Sequence, residues 1–123
     1  VFSPSPANSF DLGAYQAGEK PRSVVVSKPG VVEIFCNLHS RMAASVLVVS
    51  SSVFAAVDGQ GRFRLEGVQP GKRTLVVWAP DADPVSKVID VGADLTDVKL
   101  SIEPGHSKAH VNKHGQPYGS YGD

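Results

Sequence analysis

The chain has 123 residues, and its twelve Lys and Arg residues balance its twelve Asp and Glu residues, so the formal net charge is zero. This length suits one domain or two small modules. The neutral balance, without a basic stripe, argues against nucleic acid as a partner, and no apolar run reaches the roughly 20 residues that a membrane-spanning helix needs.

Short β-type runs separated by turn residues fill the first part of the chain. Residues 1–19 are rich in Ser, Pro, Asn and Gly around isolated aromatic residues, which predicts an ordered loop or an irregular sheet edge. Strands are predicted at Arg22–Ser27, Val31–Cys36 and Ala43–Ser50. The third strand is apolar on both faces, so we expect it to be covered on both sides.

The following residues continue as strands bounded by Gly and Pro. Turns are predicted at Asp58-Gly59 and Pro70-Gly71, where glycine permits the backbone conformations that tight turns need. No window shows a capped helical period, so the chain is predicted to be all-β, with an antiparallel sandwich at residues 45–102. The predicted strands are Phe54–Val57, Arg62–Leu65, Thr74–Ala79, Val85–Val91 and Asp97–Ile102, with Phe63, Leu75, Val77 and Trp78 as predicted core.

The tail, residues 103–123, changes composition. It is rich in Gly, His, Lys and Tyr, and it carries His106, His110 and His114 at four-residue intervals. Glycine and proline oppose a helix there, so we predict a mostly disordered tail. Its histidines could bind metal adventitiously, or one of them could fold back as a metal ligand.

The only Cys and the only Met of the chain stand in the motif Cys36-x-x-His39-x-x-Met42. Cys36 comes at the end of one predicted strand and Met42 directly precedes the next, with His39 in the loop between them. Because the two strands are neighbours, the three side chains are predicted to converge at one end of the sheet.

These three donors form a soft ligand set. Structural zinc sites take four Cys or His ligands and seldom use Met. A Cys-His-His plane with a long axial Met is the arrangement of type-1 copper, which serves electron transfer. The set therefore favours copper, with Cys36 as thiolate, His39 as imidazole and Met42 as axial sulfur.

The run "VVEIFCNLHSRMAASVLVV" resembles the copper loop of the cupredoxins, the plastocyanin and amicyanin family. Together with "VFSPSPANSFDLGAYQAGE" and "AAVDGQGRFRLEGVQPGKRTLVVWAP", it is similar to a bacterial methylamine-utilisation or plastocyanin-like group. This resemblance implies Greek-key cupredoxin-type strands at residues 1–50. They would run into a transthyretin-like, carboxypeptidase-regulatory-like sandwich at 45–102 through a shared strand at 43–50.

The same resemblance implies a non-enzymatic, periplasmic or secreted electron carrier with a redox partner protein. It also implies a second ligand histidine, in a His-Asn-Val-Phe-Ser run. Since the chain starts at Val1-Phe2-Ser3, that histidine is expected just before residue 1. With three of four ligands, the chain by itself is expected to bind copper incompletely.

Other interpretations of the motif stay open. Cys36 could be an inert buried thiol, His39 a surface residue and Met42 a core gap-filler. A nucleophilic Cys-His pair is a further alternative, although no motif supplies an oxyanion hole or an orienting third group. The competing function is a non-catalytic binding module for protein or polysaccharide, with a vestigial copper site.

Overall fold

The structure is a computed structural model that describes residues 1–94, 96–106 and 109–119. These residues contain no helix, so none that could cross a membrane, and every strand pairing is antiparallel. The all-β prediction is confirmed. The strands are β1 (Phe2–Ser3), β2 (Phe10–Asp11), β3 (Gly30–Phe35), β4 (Ala43–Val48), β5 (Gly71–Val77) and β6 (Val85–Val91).

The chain divides into two compact units. The first comprises Val1–Ser50 together with the described tail residues 109–119, and the second begins at Ser51 and includes the described residues up to 106. The predicted strand at 43–50 is present as β4, within the first unit.

The first unit is a four-stranded sheet in the order β2-β1-β3-β4. Its core consists of Phe2, 5% exposed, and Val32, which is 1% exposed at the middle of β3. Half-buried Glu33 forms hydrogen bonds through both its backbone N–H and its side-chain carboxylate. Its N–H donates to Ser5 Oγ at 2.8 Å, and its carboxylate accepts from Ser45 Oγ at 2.8 Å.

The prediction that the third strand is covered on both sides is wrong. β4 forms an edge of the sheet, and within the described residues it pairs only with β3. Val46 remains 41% exposed and Leu47 37% exposed. The apolar residues correctly predicted a strand, but residue type alone does not show whether another part of the protein packs on its two faces.

The strand predicted at Arg22–Ser27 is absent, and Val25 is 89% exposed. The side chain of Asn8 holds this segment instead. Its Nδ2 donates to Lys28 O at 2.7 Å, and its Oδ1 accepts from the N–H groups of Ser27 and Lys28 at 3.1 and 3.2 Å. An asparagine bridge thus replaces the strand pairing that the valines suggested.

The second unit contains one antiparallel hairpin, β5–β6, in register from Gly71↔Val91 to Val77↔Val85. The turn predicted at Asp58 is also present, because its carboxylate accepts from the N–H groups of Gln60 and Arg62, both at 2.9 Å.

The other predicted features of the second unit differ from the structure. Residues 54–57, 62–65 and 97–102 contain no strand. The predicted core residues are all partly exposed, since the described residues of this unit form one hairpin and no second sheet that faces it; they are Phe63, Leu75, Val77 and Trp78.

The tail also differs from the predicted disorder over residues 109–119. A turn built on Asn112 organises it: Asn112 N–H donates to Gln116 O at 2.9 Å, and Asn112 Oδ1 accepts from the N–H groups of His114 and Gln116. This asparagine supplies turn chemistry that helix and strand periodicity do not detect. Residues 107, 108 and 120–123 of the predicted disordered tail lie outside the described residues.

Candidate metal-binding site

The loop from Cys36 to Met42 closes the β3–β4 hairpin. The register pairs Phe35 with Ala43, and the next residues continue the ladder, because Cys36 N–H donates to Met42 O at 3.1 Å. Met42 N–H donates to His39 O, also at 3.1 Å. The backbone therefore fixes both ends of the loop and turns it back at His39.

Cys36 and His39 lie in contact within this loop. The Cys36 Sγ to His39 Nδ1 distance is 3.4 Å. A sulfur and a nitrogen bound to one metal at about 2.3 and 2.0 Å, with a tetrahedral angle between them, are separated by about 3.5 Å. The two donor atoms thus have the separation that a shared metal ion requires.

The surroundings of Cys36 lower the pKa of its thiol. Partial burial raises its pKa, but hydrogen bonds from the backbone N–H of Leu38 and from the side chain and backbone of His39, together with the charge of His39, lower the pKa below its ordinary value overall. The Leu38 nitrogen lies 3.4 Å from Sγ. Because the thiolate is the form that binds metals, this environment favours ligation.

Met42 is the last residue of the loop, as its spacing predicted, and it is 55% exposed. Among the described residues, no group of three or more His, Cys, Asp or Glu residues could hold a metal ion. The structure therefore brings two of the three predicted donors, Cys36 and His39, into contact. It places Met42 next to them along the backbone.

Two tail residues approach the loop: Tyr118, which sequence reasoning missed, and His110, which it named as a possible metal ligand. Tyr118 Oη donates to Cys36 O at 2.7 Å and lies 3.1 Å from His110 Nδ1. The His110 ring stacks on Phe35, with centroids 4.1 Å apart and planes inclined by 19°. Burial, and secondarily the Cys36 charge, raises the pKa of Tyr118. A tyrosine in a Gly-rich tail gave no usable signal of this packing.

A third tail residue anchors the same region. Lys113 N–H donates to Asn37 Oδ1 at 3.0 Å, and Lys113 Nζ pairs with Asp11 Oδ2 at 3.0 Å. The pKa of Asp11 is lowered, first by the hydrogen bond from Gly13 N–H and then by Lys113. Lys113 therefore connects the tail both to the loop, through Asn37, and to β2, through Asp11.

An open cleft of about 640 Å³ lies between the sheet and the tail. Phe2, Phe10 and Phe35 line it from the sheet, and His110, Val111 and Lys113 line it from the tail. Of the tail histidines predicted as possible metal ligands, His110 has its ring stacked on Phe35 and its Nδ1 directed at Tyr118.

Comparison with protein-family models, with curated proteins and with solved structures gave no match. The resemblance to cupredoxins therefore depends on the sequence motifs quoted above, and the chemistry of the site depends on its own geometry.

Proposed function

We propose that the loop binds copper and that the protein serves as an electron carrier. The observation that supports this function most directly is the 3.4 Å separation of Cys36 Sγ and His39 Nδ1. Thiolate and imidazole suit copper and zinc alike, and a neighbouring thioether from Met42 favours copper over structural zinc. Copper, when bound, supplies one-electron redox chemistry.

The residues of the chain would each have a distinct task. Cys36 would bind as thiolate, stabilised by the Leu38 N–H, and Met42 would be a weak thioether donor. The hydrogen bonds between Cys36 and Met42 and between Met42 and His39 restrain the loop. A restrained loop changes little between oxidation states, so electron transfer needs little reorganisation. His39 is exposed and gives a redox partner protein access to the centre.

The finer architecture belongs to the same proposal. We propose that residues 1–50 are part of a Greek-key cupredoxin-type domain and that residues 45–102 are a transthyretin-like, carboxypeptidase-regulatory-like module. The antiparallel β3–β4 hairpin on either side of the ligand loop supports the first assignment, and the β5–β6 hairpin supports the second. A periplasmic or secreted location follows from the resemblance.

Titration of the 123-residue chain with Cu(II), with and without millimolar imidazole, tests the copper site. Free imidazole can occupy the position that the resemblance assigns to a second histidine. We expect weak visible absorption from copper alone and a strong thiolate-to-copper charge-transfer band when imidazole is present. Co(II), which does not oxidise thiols, provides a second probe of the same ligands.

Three variants test whether the absorption band comes from the proposed ligands. Cys36→Ser should abolish the band, and His39→Ala should weaken binding at every imidazole concentration. His114→Ala is the matched control and should leave the spectra unchanged, because His114 lies in the tail turn, where its N–H donates to Asn112. If the wild-type chain keeps a free thiol yet gives no band with either metal, the copper function is wrong and the binding-module alternative takes its place.

A further inference from the structure

The tail segment, defined as residues 109–119, contacts three consecutive residues where β3 ends and the ligand loop begins. These contacts come from three different tail side chains or backbone groups, and they involve a ring, a hydroxyl and an amide. They are the His110 ring on Phe35 at 4.1 Å, Tyr118 Oη to Cys36 O at 2.7 Å, and Lys113 N to Asn37 Oδ1 at 3.0 Å.

The two hydrogen bonds of Tyr118 can each be assigned a donor and an acceptor. A phenol has one proton to donate, and the shorter bond, to Cys36 O, takes it. His110 Nδ1 lies 3.1 Å from the hydroxyl oxygen of Tyr118. Because the Tyr118 proton is already donated to Cys36 O, a hydrogen bond at this position requires Nδ1 to carry a hydrogen and to donate it to Tyr118. The chain of donors thus runs from His110 through Tyr118 to the carbonyl of Cys36.

This chain of hydrogen bonds acts on the peptide group that follows the thiolate. The carbonyl of Cys36 and the N–H of Asn37 belong to one planar peptide, and the next N–H, that of Leu38, points at Cys36 Sγ. Tyr118 holds the carbonyl while Lys113 holds the Asn37 side chain. Together they restrain the turn that directs the Leu38 N–H toward sulfur.

The tail segment is itself held in place at two points. The Asn112 side chain accepts from two backbone N–H groups and shapes the turn locally. Lys113 Nζ reaches Asp11 at 3.0 Å, on β2. A segment that is organised locally and tied to the sheet loses less conformational freedom when it docks than a free tail does, so it can restrain the loop.

We infer that Tyr118 and His110 are positioning residues for the metal ligand Cys36, and that the tail segment sets the geometry of the loop through them. The inference builds on the proposed copper site, but its first measurement needs no metal.

The test compares Tyr118→Phe with Tyr15→Phe in the full chain. The first variant removes only the hydroxyl that reaches Cys36, and the second removes the hydroxyl of a 48% exposed tyrosine whose ring lies under Arg22. In the metal-free protein, amide hydrogen exchange of the peptide covering residues 36–42 should be about two- to tenfold faster in Tyr118→Phe, the range that one lost hydrogen bond gives. Tyr15→Phe should match the wild type.

The metal-bound state provides the second readout. In the presence of imidazole, Tyr118→Phe should shift the energy of the thiolate-to-metal band, because the direction of the Leu38 N–H toward sulfur changes, whereas Tyr15→Phe should not. His110→Phe retains a ring to stack on Phe35 but lacks the Nδ1 donor. It should move both measurements in the same direction as Tyr118→Phe.

The outcomes are distinguishable. Wild-type exchange and an unshifted band in Tyr118→Phe overturn the positioning role. Faster exchange in β5–β6 as well as in the loop would mean that Tyr118→Phe unfolds the chain generally, and His110→Phe then decides the question by the same criteria. If no variant shows a metal band, the copper function fails, and the exchange of residues 36–42 alone decides whether the tail restrains the loop.

Discussion

Val32 offers the sharpest test of the first unit, because it is the least exposed of the buried apolar side chains among the described residues. It is 1% exposed and pairs with Val46 across the β3–β4 ladder. Val32→Ala removes two methylene equivalents, a loss of about 1.6 kcal/mol at about 0.8 kcal/mol each. The space left behind adds to this cost, so we expect a total of about 2 to 3 kcal/mol.

The assay must report on the first unit separately from the second. Amide hydrogen exchange of β3 and β4 across a urea series gives the free energy of opening of the first unit. Fluorescence of Trp78, which belongs to the second unit, monitors the other unit in the same samples. Val32→Ala should lower the first quantity and leave the urea midpoint of the second unchanged.

Val25→Ala is the matched control, since it makes the same chemical change at a residue that is 89% exposed. It should alter the free energy of opening by less than about 0.5 kcal/mol. If the two variants agree within that margin, Val32 does not contribute a core contact and the packing of β3 described above is incorrect.

Two further predictions concern a close backbone approach and a surface charge. Gly105→Ala should destabilise the second unit by about 1 to 3 kcal/mol, because a Cβ there would collide with the Asp81 carbonyl; Gly59→Ala, which faces open space, is the control, and tryptophan fluorescence in urea measures both. The pKa of Asp11, measured by NMR, should lie below its ordinary 3.8, since a backbone N–H and Lys113 lower it. The stabilisation of the folded state by ionised Asp11 is present above pH 3.8 and is lost as the pH falls through the lowered pKa. An Asp11 pKa that is the same in Lys113→Met as in the wild type would contradict the ion pair.

The elements that sequence predicted correctly are those that local chemistry determines. The turn at Asp58 forms because its own carboxylate accepts two nearby N–H groups, and β5 and β6 flank a short connection of Trp78–Pro84. The strand predicted at Arg22–Ser27 failed because its competitor, the Asn8 side chain, lies about twenty residues away. Nothing in a local window of valines reports such a partner.

In the candidate site, too, the local contact could be predicted from the sequence and the long-range contact could not. Cys36 and His39 are three residues apart, and a loop closed by backbone hydrogen bonds brings them together, so their spacing was informative. Tyr118 is 82 residues from Cys36 along the chain. Its contact with Cys36 depends on how the whole tail packs, which neither spacing nor composition encodes.

The difference between these two kinds of contact bears on how the site would work. The Cys36–His39 separation matches that of two ligands on one metal, and backbone hydrogen bonds within the loop hold the residues that carry these donors. Local backbone closure would then supply the geometry of the donors, and the distant tail, through Tyr118, would adjust the hydrogen bonding around sulfur. Under this division, variants of the loop should alter whether metal binds, whereas variants of the tail should alter the properties of the bound metal.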